Sequence, residues 1–89
     1  MKAVITVIGK DSVGILSKVS TACAEVGVNI IEVTQSVLQE MFAMIMLAEI
    51  DKATVSFSEL TEKLDKLGED NNLKIHAMHE DIFNSMHRI

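Results

Sequence analysis

Several residue types that often organise a small protein are scarce or missing from this sequence. It has no proline, tryptophan or tyrosine, and only one cysteine and three phenylalanines in 89 residues. A single cysteine cannot form an internal disulfide, so non-covalent packing alone must hold the fold together. With 3% aromatic residues, aromatic stacking on nucleic-acid bases is largely excluded. The core must therefore be built from aliphatic side chains and six methionines.

Positive charge is also scarce. Eight basic residues stand against 13 acidic ones, which gives a formal net charge of −5. A nucleic-acid backbone or an anionic membrane requires a cationic surface, so we expect neither as a direct partner. The amino-terminal apolar run, Ala3 to Ile8, is too short for a signal sequence or a membrane span. We expect a cytoplasmic protein.

Apolar residues, by contrast, are abundant, at 48% of the chain. A chain of this length forms one domain, residues 1–89, and buries only about two-thirds of the surface that its unfolded form exposes. The interior is too small to hide all of this apolar surface, which indicates self-association.

Hydrophobic periodicity predicts seven secondary-structure elements. The second helix has the clearest start, a capping box formed by Ser56 and Glu59, and we expect it to stop at Gly68. The predicted elements are strand β1 (3–8), helix α1 (13–26), strands β2 (28–38) and β3 (42–50), helix α2 (to 68), strand β4 (73–78) and a short helix α3 (81–89).

This β-α-β-β-α-β order predicts an α+β, ferredoxin-like sandwich. Right-handed crossovers place both long helices on one face of a four-stranded antiparallel sheet. Strand β3 is apolar on both sides, with Met44 and Met46 opposite Ile45 and Leu47. Whichever side faces away from the helices needs a cover. We therefore expect a homodimer or a higher homo-oligomer.

The β1–α1 connection is the strongest local signal for a binding site. A glycine where a helix opens allows a ligand to approach the backbone, and the free N–H groups of the first turn favour an anion. Gly14 occupies this position. The alternative is structural: Asp11 or Ser12 caps the helix, and Gly14 allows close helix–strand packing.

Two segments resemble the motifs of the ACT domain family: Asp11-Ser-Val-Gly-Ile-Leu16, and the run from Ala24 to Ile30. ACT domains are ferredoxin-like regulatory modules. Because the resemblance covers essentially the whole chain, it implies a stand-alone ACT protein, similar in this respect to the regulator of the glycine cleavage system. Family members commonly bind amino acids between the β1–α1 loop of one subunit and the start of β2 of its neighbour.

The resemblance implies a regulatory, non-enzymatic protein with no cofactor that binds an amino acid as a homodimer and contacts a regulated protein. Val13 stands where the family usually has proline, which removes a rigid helix start. Asn29 either binds the ligand or satisfies a turn. A ligand-free interaction module remains the alternative function. The ligand-binding residues that the resemblance implies are Asp11, Ser12, Val13, Gly14, Ile15, Leu16, Asn29 and Ile30.

Other chemistries have weaker support. An acylphosphatase-like site needs a loop arginine, and the only arginine is Arg88; a copper chaperone needs a Cys-x-x-Cys in the first loop, which is absent. His76 and His79 are predicted on opposite faces of a strand, with His87 in the last helix, so we expect no metal site. Cys23 lies on the buried stripe of α1 and is expected in the core.

The methionines have two interpretations. They form either an adaptable binding surface or a packed core or dimer interface. We favour the interface. The residues concerned are Met44, Met46, Met78 and Met86.

Overall fold

The structure, a computed structural model, describes residues 1–10 and 14–86, apart from the side chains of Leu38 and Met86. The predicted element order is confirmed. The elements are β1 (Lys2–Gly9), α1 (Ile15–Glu25), β2 (Asn29–Leu38), β3 (Met41–Glu49), α2 (Phe57–Asn71), β4 (Lys74–His79) and α3 (Glu80–Met86).

The four strands form an antiparallel sheet in the order β2-β3-β1-β4. This is the predicted ferredoxin-like arrangement, in which β1 and β3 are central and β2 and β4 are the edges. Helices α1 and α2 supply buried side chains to one core with the sheet, including Val19, Cys23, Leu60 and Leu64. We call the sheet face that packs against them the covered face, and the other the open face.

Alternating residues of the central strands face the helices. Met44 and Met46 of β3 are fully buried there, with exposed fractions of 0%. They fill the core of the chain itself, so the prediction that they form a dimer interface is wrong. Thioether side chains adapt to irregular gaps, which suits a core with almost no aromatic residues to fill it.

The open face is only partly covered. Helix α3 contacts β1 and β4, and Val4 on this face is buried. Farther along the sheet, Ile8, Met41 and Ile45 remain 42%, 42% and 43% exposed. On the central strands, the apolar residues that need a cover are therefore those of the open face, away from α3.

Helix α2 ends three residues later than predicted. It begins at the expected capping box, in which the Glu59 amide donates to Ser56 Oγ (3.1 Å) and the Ser56 amide donates to Glu59 Oε1 (3.2 Å). It ends at Asn71, with Asn72 in the left-handed conformation. Gly68 lies inside the helix because its backbone approaches the next segment: a Cβ there would lie 2.6 Å from the carbonyl oxygen of Leu73.

Edge strand β2 contains a bulge. Ile30 pairs with Ala48 and Glu32 with Leu47, so Ile31 is an extra residue on the bulged strand. Such an insertion changes which residues of a strand share a face. Val33 and Val37 beyond the bulge pair with covered-face residues of β3, yet both stay exposed at this edge of the sheet.

Candidate functional site

Gly14 is the N-cap of α1, and its backbone has a φ of 72° in the left-handed region. It is exposed, and among the described residues the atom nearest to a Cβ there would be Lys18 Cε, at 3.9 Å. The backbone conformation, which side chains other than glycine rarely adopt, is therefore the reason for glycine. The alternative in which Gly14 allows close helix–strand packing is wrong.

The helix begins at Ile15, two residues later than predicted. Because Gly14 has no side-chain acceptor, it leaves the amides of the first turn to other partners. Ile15 is buried in the core, whereas Leu16 is exposed beside the helix start. Asp11, Ser12 and Val13 lie outside the described residues, so the predicted caps Asp11 and Ser12 belong to that segment.

Asn29 and Ile30 open strand β2. Asn29 is exposed and pairs with Glu49, and Ile30 is half-buried against the core. The Asn29 side chain makes no hydrogen bond to any residue in 1–10 or 14–86. Within these residues, the interpretation that Asn29 satisfies a turn has no support, and its amide group is available to a ligand.

A single chain does not bring these two segments together. Helix α1 has 11 residues, which corresponds to a length of about 16 Å, and it separates Gly14 from Asn29. The sheet register agrees: Asn29 aligns with Glu49 and Lys2 at one end, and Gly9 aligns with Phe42 and Val37 at the other. The described residues of the resemblance, Gly14 to Leu16 on one side and Asn29 with Ile30 on the other, therefore lie at opposite ends of the fold.

One contact near the site was missed by sequence reasoning. Lys18 Nζ donates a 2.8 Å hydrogen bond to Asn71 Oδ1, while Asn71 Nδ2 donates to the Leu67 carbonyl oxygen at 2.8 Å. The contact joins the first turns of α1 to the end of α2. No local pattern predicts it, because the partners are 53 residues apart in the sequence.

The described histidines and the cysteine lie in the sheet or in the core. His79 stacks on Phe57 with ring centroids 4.4 Å apart, and His76 lies opposite Thr6 on the open face. Within the described ranges no group of His, Cys, Asp and Glu is arranged to hold a metal ion. Cys23 is fully buried, and this burial raises the pKa of its thiol to about 11, as suits a core residue rather than a nucleophile.

Among the described residues, no helix is long and apolar enough to cross a bilayer.

Comparison with known proteins identifies the family. The ACT domain profile matches residues 2–78. A UPF0237 protein from Listeria monocytogenes is 45% identical over the full length of both chains. An ACT domain protein from Streptococcus pneumoniae superposes with a TM-score of 0.82, at 40% identity and 93% coverage of each chain.

A third relative carries a regulatory name. The crystal structure of a putative glycine cleavage system transcriptional repressor superposes with a TM-score of 0.70 at 28% identity, over 86% of this chain and 44% of that one. ACT domains are generally regulatory modules that bind small molecules. On its profile match, its relatives and its fold, this chain belongs to the ACT domain family.

Proposed function

We propose that the chain is a regulatory module that works as a homodimer and binds an amino acid where the two subunits meet. Each ligand would contact the β1–α1 loop of one subunit and the start of β2 of the other. The observation that carries the proposal is the separation of the two half-sites, Gly14 and Asn29, at opposite ends of α1. A second copy can bring them together.

The free edge of the sheet supports this assembly. Strand β2 is an edge strand of 10 residues, and an unprotected edge offers its N–H and C=O groups to another strand. Val37 is 68% exposed and Val33 37%. Pairing with a second copy would cover both valines and satisfy the unpaired backbone groups of the edge.

Symmetry then determines which residues meet. Two identical strands related by a two-fold axis pair antiparallel, so the start of one lies beside the end of the other. Within the chain, the end of β2 lies at the same end of the sheet as Gly9, because both Val37 and Gly9 pair with Phe42. Asn29 of one copy would thus approach the loop that carries Gly14 in the other.

The chemistry of the combined site suits an amino acid. The amides of the first turn of α1 and the positive end of its dipole favour the carboxylate. The Asn29 side chain, which has both acceptor and donors, would bind the ammonium group. Leu16, exposed beside the helix start, is an apolar contact for the ligand side chain. No residue of this set is proposed as catalytic.

The test measures assembly and binding separately. Sedimentation equilibrium on the wild-type chain is expected to give a dimer. Val33→Lys, which places two like charges at the shared edge, should shift the dimer toward monomer, whereas Ser85→Lys, with the same change in charge on exposed α3, should not. A monomeric wild type at 100 μM or above would overturn the proposal.

Binding is tested by calorimetry with the twenty amino acids. Asn29→Ala should weaken the amino acid that binds about tenfold or more, since a hydrogen bond to a charged group contributes about 1.5–3 kcal/mol. Glu69→Ala, an exposed change on α2, is the control. Equal binding to wild type and Asn29→Ala would contradict the predicted role of Asn29.

A ligand-free interaction module is the second candidate. The exposed valines of β2 favour it specifically, because they call for a cover whether or not a ligand binds. A dimer that binds none of the twenty amino acids below millimolar concentration would support this candidate over the first.

A further inference from the structure

A groove lies at the end of the open face, where β1 and the start of β3 meet the α2–β4 connection. Its volume is about 430 Å³, within the range of about 300–1,000 Å³ that is usual for small-molecule sites. We call it the end groove. Its lining includes Ile8, Lys10, Met41, Asn71, Asn72 and Lys74.

Strand register explains why these residues meet. Ile8 pairs directly with Lys74 of β4, and residues that are directly opposite in an antiparallel pair share a face. Met41 opens the neighbouring strand β3 in phase with the open face. Lys10 directly follows the last residue of β1 and lines the same groove. Two lysines and two apolar side chains therefore converge on one corner of the sheet.

The base of the end groove is apolar. Ile8 and Met41 come from strands that lie side by side, about 4.8 Å apart. Each remains 42% exposed. A short aliphatic chain laid across them would remove both from water, which is the main source of affinity in most small-molecule sites.

The charge of the groove is opposite to that of the whole chain. Among the described residues, two ammonium groups, those of Lys10 and Lys74, line it and no carboxylate does, although the net charge of the chain is −5. Within residues 1–10 and 14–86, neither lysine forms an ion pair. Three acidic residues, Asp11, Glu40 and Asp70, are chain neighbours of lining residues. Glu40 and Asp70 are not part of the lining, and Asp11 lies outside the described residues.

The polar wall is held in place by other contacts. Asn71 is fixed by its hydrogen bonds to Lys18 and to the Leu67 carbonyl. Asn72 adopts the left-handed conformation, and its backbone N–H donates to the Gly68 carbonyl. A wall that is already ordered costs little further entropy when a ligand binds.

We propose that the end groove binds a small organic anion that carries an aliphatic chain. The carboxylate or phosphate lies between Lys10 and Lys74, and the chain lies on Ile8 and Met41. This site adjoins the proposed amino-acid site, because Lys10 belongs to the β1–α1 connection, but it is a different site, since neither Gly14 nor Asn29 lines the groove. It lies within one chain and does not depend on dimerisation.

The experiment is a titration of the full chain followed by amide NMR shifts, with hexanoate and hexyl phosphate as the probes. We expect saturable shifts confined to the amides around residues 8–10, 41 and 71–74. Binding should weaken as salt is raised, because the lysine contacts are electrostatic. Binding of either probe supports the proposal, and the tighter one identifies the preferred head group.

Two neutral or truncated probes separate the parts of the site. Hexanol should bind at least tenfold more weakly than hexanoate, since it lacks the charge. Acetate should also bind at least tenfold more weakly, since it lacks the chain. Hexanol binding as tightly as hexanoate would overturn the proposal, as would shifts centred on other residues.

Matched variants test the lysines. Lys74→Glu should weaken hexanoate at least tenfold, and Lys2→Glu, the same change at the other end of the sheet, should leave it within twofold. If Lys74→Glu does not fold, Lys74→Gln should weaken binding at least threefold. Equal weakening by Lys2→Glu would show a general effect of net charge and would overturn the site. The Asn29→Ala variant should show the same hexanoate-induced amide shifts as the wild type. This result would show that the end groove binds its ligand independently of the proposed amino-acid site.

Discussion

The two faces of the sheet are built from similar residues but have different surroundings. On β3, Met44 and Met46 of the covered face are fully buried, whereas Ile45, between them in sequence, is 43% exposed on the open face. Side-chain hydrophobicity does not distinguish these positions. What differs is the layer above them: two long helices on one side, and only the short α3 at one end of the other. The comparison teaches that, on the central strands, the apolar residues left exposed are those of the open face.

The largest expected effect tests this difference directly. Met46→Ala should lower the free energy of unfolding by about 2–5 kcal/mol, because it leaves a cavity in a closed core. Ile45→Ala on the same strand should cost about 1 kcal/mol, since the side chain is already partly in water. Urea denaturation of both variants at one protein concentration measures the two values. Equal losses would mean that the open face is as well covered as the other.

The next effect tests how completely water is excluded from the core on the covered face. Burial raises the pKa of the Cys23 thiol from 9.0 to about 11, so between these values the unfolded chain has lost a proton that the folded chain keeps. Stability is therefore fully present below pH 9 and falls as pH rises from about 9 to 11, by up to about 3 kcal/mol.

Denaturation at pH 8 and pH 10.5 measures this loss, with Cys23→Ala as the control for other titrating groups. The wild type should lose more stability over this interval than the variant. If the wild type and Cys23→Ala lose the same free energy of unfolding, the Cys23 thiol is accessible to water in the folded chain. The contrast between the two faces would then be weaker.

The smallest of the three effects concerns the attachment of the helix layer. Gly68→Ala should cost about 1–3 kcal/mol, because the added Cβ would lie 2.6 Å from the Leu73 carbonyl oxygen and must displace backbone. Helix propensity alone favours alanine by about 1 kcal/mol, so the sign of the change decides between packing and propensity. Thermal unfolding of this variant beside Glu69→Ala, expected within about 0.5 kcal/mol of wild type, measures it.

Local signals made most of the fold predictable. The capping box at Ser56 and Glu59 fixes the start of α2, and the glycine at residue 27, with a φ of 77°, follows the end of α1 as expected. The end of α2 was wrongly predicted at Gly68. This glycine is needed because Leu73 packs against it, and sequence periodicity does not show where Leu73 lies. The sequence also does not show which side of β3 faces the helices, since both sides are apolar.

The sequence names the residues of the proposed site but not how they are arranged in space. The motif located Gly14 and Asn29, and the left-handed backbone of Gly14 explains why glycine is needed there. Their separation follows from the length of α1 and the register of the sheet. The pairing of Lys74 with Ile8 joins residues far apart in sequence, so the end groove has no sequence signature.

The bulge in β2 reverses which residues of the strand, even-numbered or odd-numbered, point to the covered face. Ile30 points to the covered face through its pairing with Ala48, and after the extra residue Ile31 the odd-numbered Val33 and Val37 do so. One further insertion or deletion between residues 32 and 38 would exchange these valines with Glu32, Thr34 and Ser36. Changes in length are therefore better tolerated at the Gln39–Glu40 turn than within this strand.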